Sequence, residues 1–329
     1  MIITQTPLRI SLAGGGTDFR GFYEQEDGFV VSSAIDKYLF VIVKERFDDR
    51  IYINYMKKEI VDYVDEIQHE LVREAMKITG VERGVEITML ADVPSGGSGL
   101  GSSSSITVGL LNALYMYQGE QVTAEQLARE ACEIEIERCG KPIGVQDQYI
   151  AAYGNLRSFR FRASGQVEVE RIPIGDADKR VLGSNLQLFF TDKTRQADVI
   201  LAEQKSRIAD RMGALRKLKQ YAIEAKGAIG EGRFDEVGRI LKESWEFKKQ
   251  MAGKITNREI DAMYDKAMSA GALGGKISGA GGGGFLLVYA QREWQNAVRE
   301  ALSDYRELPF FLENDGSKVI FNARRYSAK

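Results

Sequence analysis

Histidine is almost missing from this chain, which carries a single one, His69, among 329 residues. It lies in the helix-like run EIQHELVREAMKITG and reads as a residue of a helix surface or interface. Serine–histidine–aspartate hydrolysis, two-histidine zinc sites and the histidine-containing protein-kinase loop all need supporting residues that are absent here. Cysteine is nearly as scarce. Cys132 and Cys139 sit in one helical stretch, which excludes a disulfide scaffold and makes a reduced, cytoplasmic setting the default. No charge of one sign dominates, since 45 basic against 47 acidic residues leave a net of -2. A nucleic-acid partner is therefore not expected, because binding one needs a basic surplus to replace counterions. The longest apolar runs, LFVIV at 39–43 and FLLVYA at 285–290, fall far short of the roughly 20 residues that span a bilayer, so no membrane partner is expected. The opening MIITQTPLRISL has no basic n-region, long apolar core or cleavage site, and no signal peptide is expected. The chemistry is left to carboxylates, lysines, arginines, hydroxyls and backbone amides.

Glycine, by contrast, is abundant. At about 7% usage roughly 23 glycines are expected, and the chain has 34, fifteen of them in clusters at 14–16, 96–101 and 271–284. The length suits about two domains of roughly 150 residues. Residues 1–12, 29–43, 50–54 and 84–90 read as strands, 66–79 as a helix ended by Gly80, and 102–117 as a helix with Ile106, Leu110, Ala113, Leu114 and Tyr117 on one face. Thr123 and Gln126 make a capping box for a helix running to about Cys139. Strands return at 154–162, 166–172 and 186–191. Most of 196–251 is then charged and helical, with interruptions at Gly230 and Gly232, and another helix follows from Thr256 to about Ala270. FLLVYA, a helix at about 293–305 and a strand at 318–323 complete the chain. The change of texture places a boundary near 180, giving parts 1–180 and 181–329 that share an interface; a homodimer is left open.

The middle cluster carries the most information. Pro94, Ser95, Gly96, Gly97, Ser98, Gly99, Leu100 and Gly101 run into Ser102, Ser103, Ser104 and Ser105, directly followed by an amphipathic helix. Glycines let a backbone approach a phosphate, and a helix start offers free N–H groups and a positive dipole end. No lysine follows the last glycine, so this is not a Walker A loop. The third cluster holds a formal G-x-G-x-x-G at Gly279, Gly281 and Gly284. A dinucleotide fold needs a strand before those glycines and a helix after them, and here the order is reversed. A loop lying over a nucleotide or substrate fits better. In the first cluster, Arg9 is the odd residue of an apolar strand that ends in Gly14, Gly15, Gly16, Thr17 and Asp18.

In this order the three clusters resemble the GHMP kinase family, whose middle motif P-x-x-x-G-L-G-S-S is matched closely from Pro94 to Ser103, with one extra residue between Pro94 and Gly99. AGGGTD at 13–18, SGLGSSSS at 98–105 and GVQDQY at 144–149 look most like the bacterial heptose-phosphate kinases within it. The resemblance implies an α+β, two-part fold: an N-terminal ATP-binding unit of the ribosomal-protein-S5 type and a C-terminal ferredoxin-like unit, with ATP between them. It also implies transfer of the γ-phosphoryl of ATP, with Mg2+, to a sugar or sugar-phosphate substrate. The expected acceptor is the anomeric C1 hydroxyl of D-glycero-D-manno-heptose 7-phosphate, on the route to GDP-heptose. The alternatives are a fucokinase- or galactokinase-like enzyme using an unphosphorylated sugar, and a catalytically silent ATP- and sugar-binding regulator.

The same resemblance distributes the roles. Asp147 matches the catalytic aspartate that accepts the sugar hydroxyl proton, and Arg9 the motif-1 arginine that offsets charge in the transition state. Pro94, Gly96 to Gly101 and Ser102 to Ser104 would cradle ATP. Ser103 and Glu135 would hold Mg2+. Helix geometry supports Glu135 over its neighbours, since Glu130, Glu133 and Glu137 form a polar stripe while Glu135 shares its face with Ala128, Ala131, Cys132 and Cys139. Gly15, Gly16, Thr17, Asp18, Gly281 and Gly282 would line the acceptor. Lys193, Thr194 and Arg195, at a strand end, would grip a substrate phosphate, unless they are incidental charge at a helix start.

Overall fold

In the computed structural model, residues 1–93, 97–192 and 197–323 are described. The first half begins with β1 (Ile2–Ala13), α1 (Arg20–Glu26) and the long β2 (Gly28–Glu45). β3 (Ile51–Asn54), β4 (Lys58–Val61), α2 (Glu70–Thr79) and β5 (Val85–Ala91) follow. α3 (Ser102–Gln118), α4 (Ala124–Cys132), a π-helical turn (Glu133–Arg138) and α5 (Gln146–Tyr153) come next, then β6 (Leu156–Phe161) and β7 (Val167–Arg171). The second half holds α6 (Asp176–Ser184), β8 (Leu186–Phe190), α7 (Ala197–Ser206), α8 (Met212–Gly230), α9 (Phe234–Lys249) and α10 (Arg258–Ser269). β9 (Gly274–Ile277), β10 (Phe285–Tyr289), α11 (Gln295–Ala301) and β11 (Lys318–Asn322) end it.

These elements form an α+β molecule with two sheets. The larger runs β11-β1-β2-β5-β3-β4, with β6 joined to the start of β2 and β7 to β6; the smaller is β8-β10-β9. β1 is buried on both faces, which suits its near-continuous apolar sequence. Its pairing with β2 slips between Pro7 and Leu8, where proline has no N–H to give the ladder. Beyond that bulge Arg9 is carried inward.

Residue 180 falls within α6, and β11 returns from the second half to pair antiparallel with β1. One apolar core holds Leu8, Ile10 and Leu12 of β1 together with Leu188 of β8, Leu241 of α9 and Leu287 of β10. A buried leucine contributes about 1.5–3 kcal/mol, so this shared core fixes the two sheets against each other. α8 packs on β1 and β2, while α9 touches β1, β9 and β10. α9 thus spans from the larger sheet to the smaller one, across the mouth of the first glycine turn.

The described helices begin and end close to where caps and glycines put them. Thr123 Oγ1 accepts from Gln126 N at 3.2 Å, and Gly80 closes α2 with φ of 69°. His69 stands at the N-cap position of α2 without a side-chain capping bond and meets Tyr55 edge-on at 4.8 Å; burial lowers its pKa. Three helical pieces were not anticipated: α1, α5 and α6. No described helix is long and apolar enough to cross a membrane.

Candidate active site

The second and third glycine clusters are locked together by their backbones. Gly97, Gly99 and Gly101 all take positive φ, and α3 starts at Ser102 with no side chain capping it. A Cβ on Gly99 would stand 2.3 Å from Ser278 O, one on Gly284 2.4 Å from Ser98 O, and one on Gly279 2.8 Å from Gly99 Cα. Glycine is required at these contacts because any side chain would drive the two loops apart. The free N–H groups of the first turn of α3 remain available to an anion. Leu100 is buried, and its carbonyl accepts from Arg9 N at 3.0 Å.

Arg9 reaches from β1 to the start of α5. Its Nε donates to Asp147 Oδ1 at 2.7 Å, its Nη2 to Asp147 Oδ2 at 2.5 Å and its Nη1 to Gly99 O at 2.6 Å. Arg9 is 5% exposed, while the Asp147 side chain is 24% exposed. The fork fixes the carboxylate's plane and leaves its outer lone pairs facing the cleft. A single guanidinium therefore ties the candidate base to the glycine loop.

Glu135 is fully buried, as the helix-face reasoning expects, although it sits on the π-helical turn rather than on a regular helix. Such turns recur at functional sites. Ser103 and Ser104 donate their hydroxyls to Glu135, the latter at 2.8 Å, and Gln148 Nε2 donates at 2.6 Å. Burial raises the Glu135 pKa against the opposing pull of Lys141 and these donors. Glu133 instead pairs with Arg138 at the surface. Ser103 is the one partly exposed serine of the 102–105 run, and Lys141 Nζ donates to its hydroxyl at 3.1 Å. The buried Gln148 Oε1 has no partner among the described residues. No group of three or more histidine, cysteine, aspartate or glutamate side chains that could hold a metal occurs among the described residues. One carboxylate, one hydroxyl and a free amide oxygen fit Mg2+, which takes oxygen ligands, often one or two carboxylates completed by substrate phosphates.

Beside the Arg9–Asp147 fork lies a cavity lined by Gly15, Gly16, Asp18, Gln146 and Asp147 from the first half, and by Lys248, Lys276 and Gly279 from the second. Asp18 is 3% exposed and accepts from Gly16 N at 2.8 Å and from Gln146 Nε2 at 2.9 Å. Burial, with the nearby Asp147 charge, raises its pKa. Gly144 is needed for this contact, since a Cβ there would lie 2.0 Å from Asp18 Oδ2. Ser11 Oγ and Gln146 Oε1 also belong to cavity-lining residues, and neither has a partner among the described residues. Buried groups of this kind need one.

Three expected acceptor residues are placed elsewhere. Thr17 Oγ1 donates toward Gly14 O (2.8 Å) and Phe29 O (3.0 Å) and accepts from Phe29 N (3.0 Å), so its hydroxyl pins the glycine turn to β2 rather than facing the cavity. Gly281 and Gly282 pack on Ile255: Gly282 N donates to Ile255 O at 2.6 Å, and a Cβ on Gly281 would lie 2.9 Å from that same carbonyl. Pro94, Gly96, Lys193, Thr194 and Arg195 lie outside the described residues. The sequence reading missed Ser11, Gln146, Lys248 and a role for Lys276. Lys248 had a signal, for it stands three and four residues after Trp245 and Ser244, which are buried on the same face of α9.

A backbone cradle for phosphates beside a carboxylate held by arginine is the arrangement that phosphoryl transfer uses. Residues 56–155 match the N-terminal domain of the GHMP kinases and residues 213–307 match their C-terminal domain. The chain is 33% identical to the D-glycero-alpha-D-manno-heptose 7-phosphate kinase of Campylobacter jejuni, over 88% of this chain and 89% of that protein. It is 26% identical to the galactokinase of Pyrococcus furiosus, over 92% of each. A crystal structure of a D-glycero-D-manno-heptose 1-phosphate kinase from Bacteroides thetaiotaomicron superimposes with a TM-score of 0.82 at 27% identity, covering 99% of this chain and 100% of that one. The chain belongs to the GHMP kinase family.

Proposed function

We propose that this kinase transfers the γ-phosphoryl group of ATP to the anomeric C1 hydroxyl of a heptose phosphate, D-glycero-D-manno-heptose 7-phosphate. The observation that carries the reading is the Arg9–Asp147 fork, set between the glycine loop and the cavity. The backbone of residues 97–104 holds the ATP phosphates at the start of α3. Asp147 takes the proton of the C1 hydroxyl as its oxygen bonds to the γ-phosphorus and the bond to ADP breaks. Arg9 keeps the carboxylate aimed and offsets negative charge at the transferring group. Ser103 and Glu135 are the residues that would hold Mg2+, which when bound neutralises charge on the β- and γ-phosphates. Asp18, Ser11 and Gln146 orient the sugar hydroxyls.

The 7-phosphate acceptor is supported by the Campylobacter relative, which is named for it, while the Bacteroides structure is named for a heptose 1-phosphate and supports only the class of heptose phosphates. ATP and sugar phosphates are solutes of the cytoplasm, which suits two unpaired cysteines. The test is a kinase assay over free and phosphorylated hexoses and heptoses, with the product position read by phosphorus NMR. Phosphate appearing at C1 of heptose 7-phosphate is the expected result. Turnover of galactose or fucose in preference would hand the assignment to the galactokinase-like alternative, and no turnover of any sugar would favour a silent regulator.

A further inference from the structure

The geometry points to Lys248 and Lys276 as the pocket for the phosphate that the acceptor already carries, on the side of the Arg9–Asp147 fork away from the nucleotide loop. This rests on the reading of the acceptor as a sugar phosphate. Lys248 comes from the end of α9 and Lys276 from β9, and both line the cavity that holds Asp18 and Asp147. None of residues 97–104 lines it. The two cations therefore face the acceptor space rather than the ATP cradle.

Their bonding is incomplete. Lys248 Nζ donates to Gln204 Oε1 at 2.9 Å and approaches Gly15 O at 3.5 Å. Lys276 has no hydrogen-bond or ion-pair partner among the described residues, and its neighbours in charge are Lys248, Arg9 and Asp18. An ammonium group has three donors, so most of these N–H groups are free. Both side chains are partly buried, and this burial pulls Lys248 down to about 8 and Lys276 to about 7.

The charges do not balance either. The cavity lining holds Arg9, Lys248 and Lys276 against Asp18 and Asp147. Asp147 is forked to Arg9, and the Asp18 oxygens are taken up by Gly16 N and Gln146. Two half-buried lysines are left facing one carboxylate that bonds neither. Charge withdrawn from water is costly unless paired, and an anionic ligand relieves that cost here. A phosphate monoester, with close to two negative charges and three acceptor oxygens, matches both the surplus charge and the free donors. Gln204 joins Lys248 to the third glycine loop through Ala280 O at 3.0 Å, which fixes the lysine's position before the ligand arrives.

The test compares wild type with Lys248→Met, Lys276→Met and the double variant. It measures KM for heptose 7-phosphate and for ATP, the Tm of the free enzyme, and inhibition by inorganic phosphate. The acceptor KM should rise roughly ten- to a hundredfold in each single variant, the range for a lost charge-assisted hydrogen bond, with ATP KM within about threefold. Tm should hold or rise, because an unpaired, half-buried charge is removed. Inorganic phosphate should compete with the acceptor in wild type and lose that competition in the double variant. A shift in ATP KM instead of acceptor KM would assign the lysines to the nucleotide and overturn the inference. A fall in Tm with both KM values rising together would make them structural and do the same. If wild type prefers heptose 7-phosphate and the double variant keeps its acceptor KM, the inference fails alone. If wild type uses free heptose equally well, the sugar-phosphate reading fails with it. Should the double variant not fold, Lys276→Gln carries the same comparison.

Discussion

Replacing Asp147 by asparagine keeps the side chain's size and removes its charge, and the structure gives the consequences on two scales. Arg9 donates two hydrogen bonds to the carboxylate and one to Gly99 O. An amide oxygen can keep one of the first two, but the amide NH2 then meets a guanidinium N–H, donor against donor. Breaking a buried ion pair costs about 3–5 kcal/mol. Asp147 is partly exposed and Gly99 O still holds Nη1, so about 1–3 kcal/mol is the fitting range, that of one charged hydrogen bond. The catalytic loss is larger. A general base contributes about 10²–10⁴-fold, and Asp147→Asn should lower kcat by that much. ATP affinity should change little, because the cradle at residues 97–104 is built from backbone. The assay is steady-state kcat together with ATP Kd by calorimetry and Tm by thermal unfolding. Turnover above about a third of wild type, well outside that range, would refute the base assignment. A large loss of ATP affinity would refute the separation of cradle from base.

Glu135→Gln should raise the Mg2+ concentration needed for activity while Glu133→Gln leaves it unchanged, since only Glu135 faces Ser103; matching Mg2+ titrations would contradict the assignment. Gly99→Ala should destabilise by at least the roughly 1–2 kcal/mol of a side chain at positive φ, and by more because its Cβ would overlap Ser278 O, as thermal unfolding would show. The pH dependence follows from the two lysines, both depressed from 10.5 chiefly by burial, with Lys248 and then Arg9 pressing Lys276 further down and Asp18 opposing. Lys276 gives up its proton as pH rises through about 7 and Lys248 through about 8, so kcat/KM for the phosphorylated acceptor should fall as pH rises across those values. Lys276→Met should lose part of that fall, and a flat profile to pH 9 would count against the lysines binding the anion. The stability of the free enzyme should move oppositely. The unfolded chain holds more protons between about 7 and the ordinary lysine value, so stability contributed by these groups rises with pH there.

Sequence alone determined what depends on neighbours along the chain. The glycine-to-helix transition before Ser102, the caps at Thr123 and Gly80 and the strand character of residues 2–13 follow from local propensity and spacing. Helical periodicity also supported Glu135, the glutamate that the family resemblance implied, over its three neighbours, because facing is a local property even where the helix widens into a π turn. Local pattern could not show α5, whose short run QDQYIAAY has weak amphipathicity because Gln146, Gln148 and Tyr149 are buried alongside its apolar residues. Tertiary structure decided everything that joins distant segments. It brought Arg9 to Asp147 across 138 positions, set Gly99 against Ser278 and returned β11 to β1. It turned the Thr17 hydroxyl into the fold while leaving Asp18 at the cavity. It also brought Lys248 and Lys276 together from a helix and a strand that meet only because α9 packs across both sheets. Such convergence is set by core packing and by backbone close approach, and neither leaves a periodic trace in the order of residues.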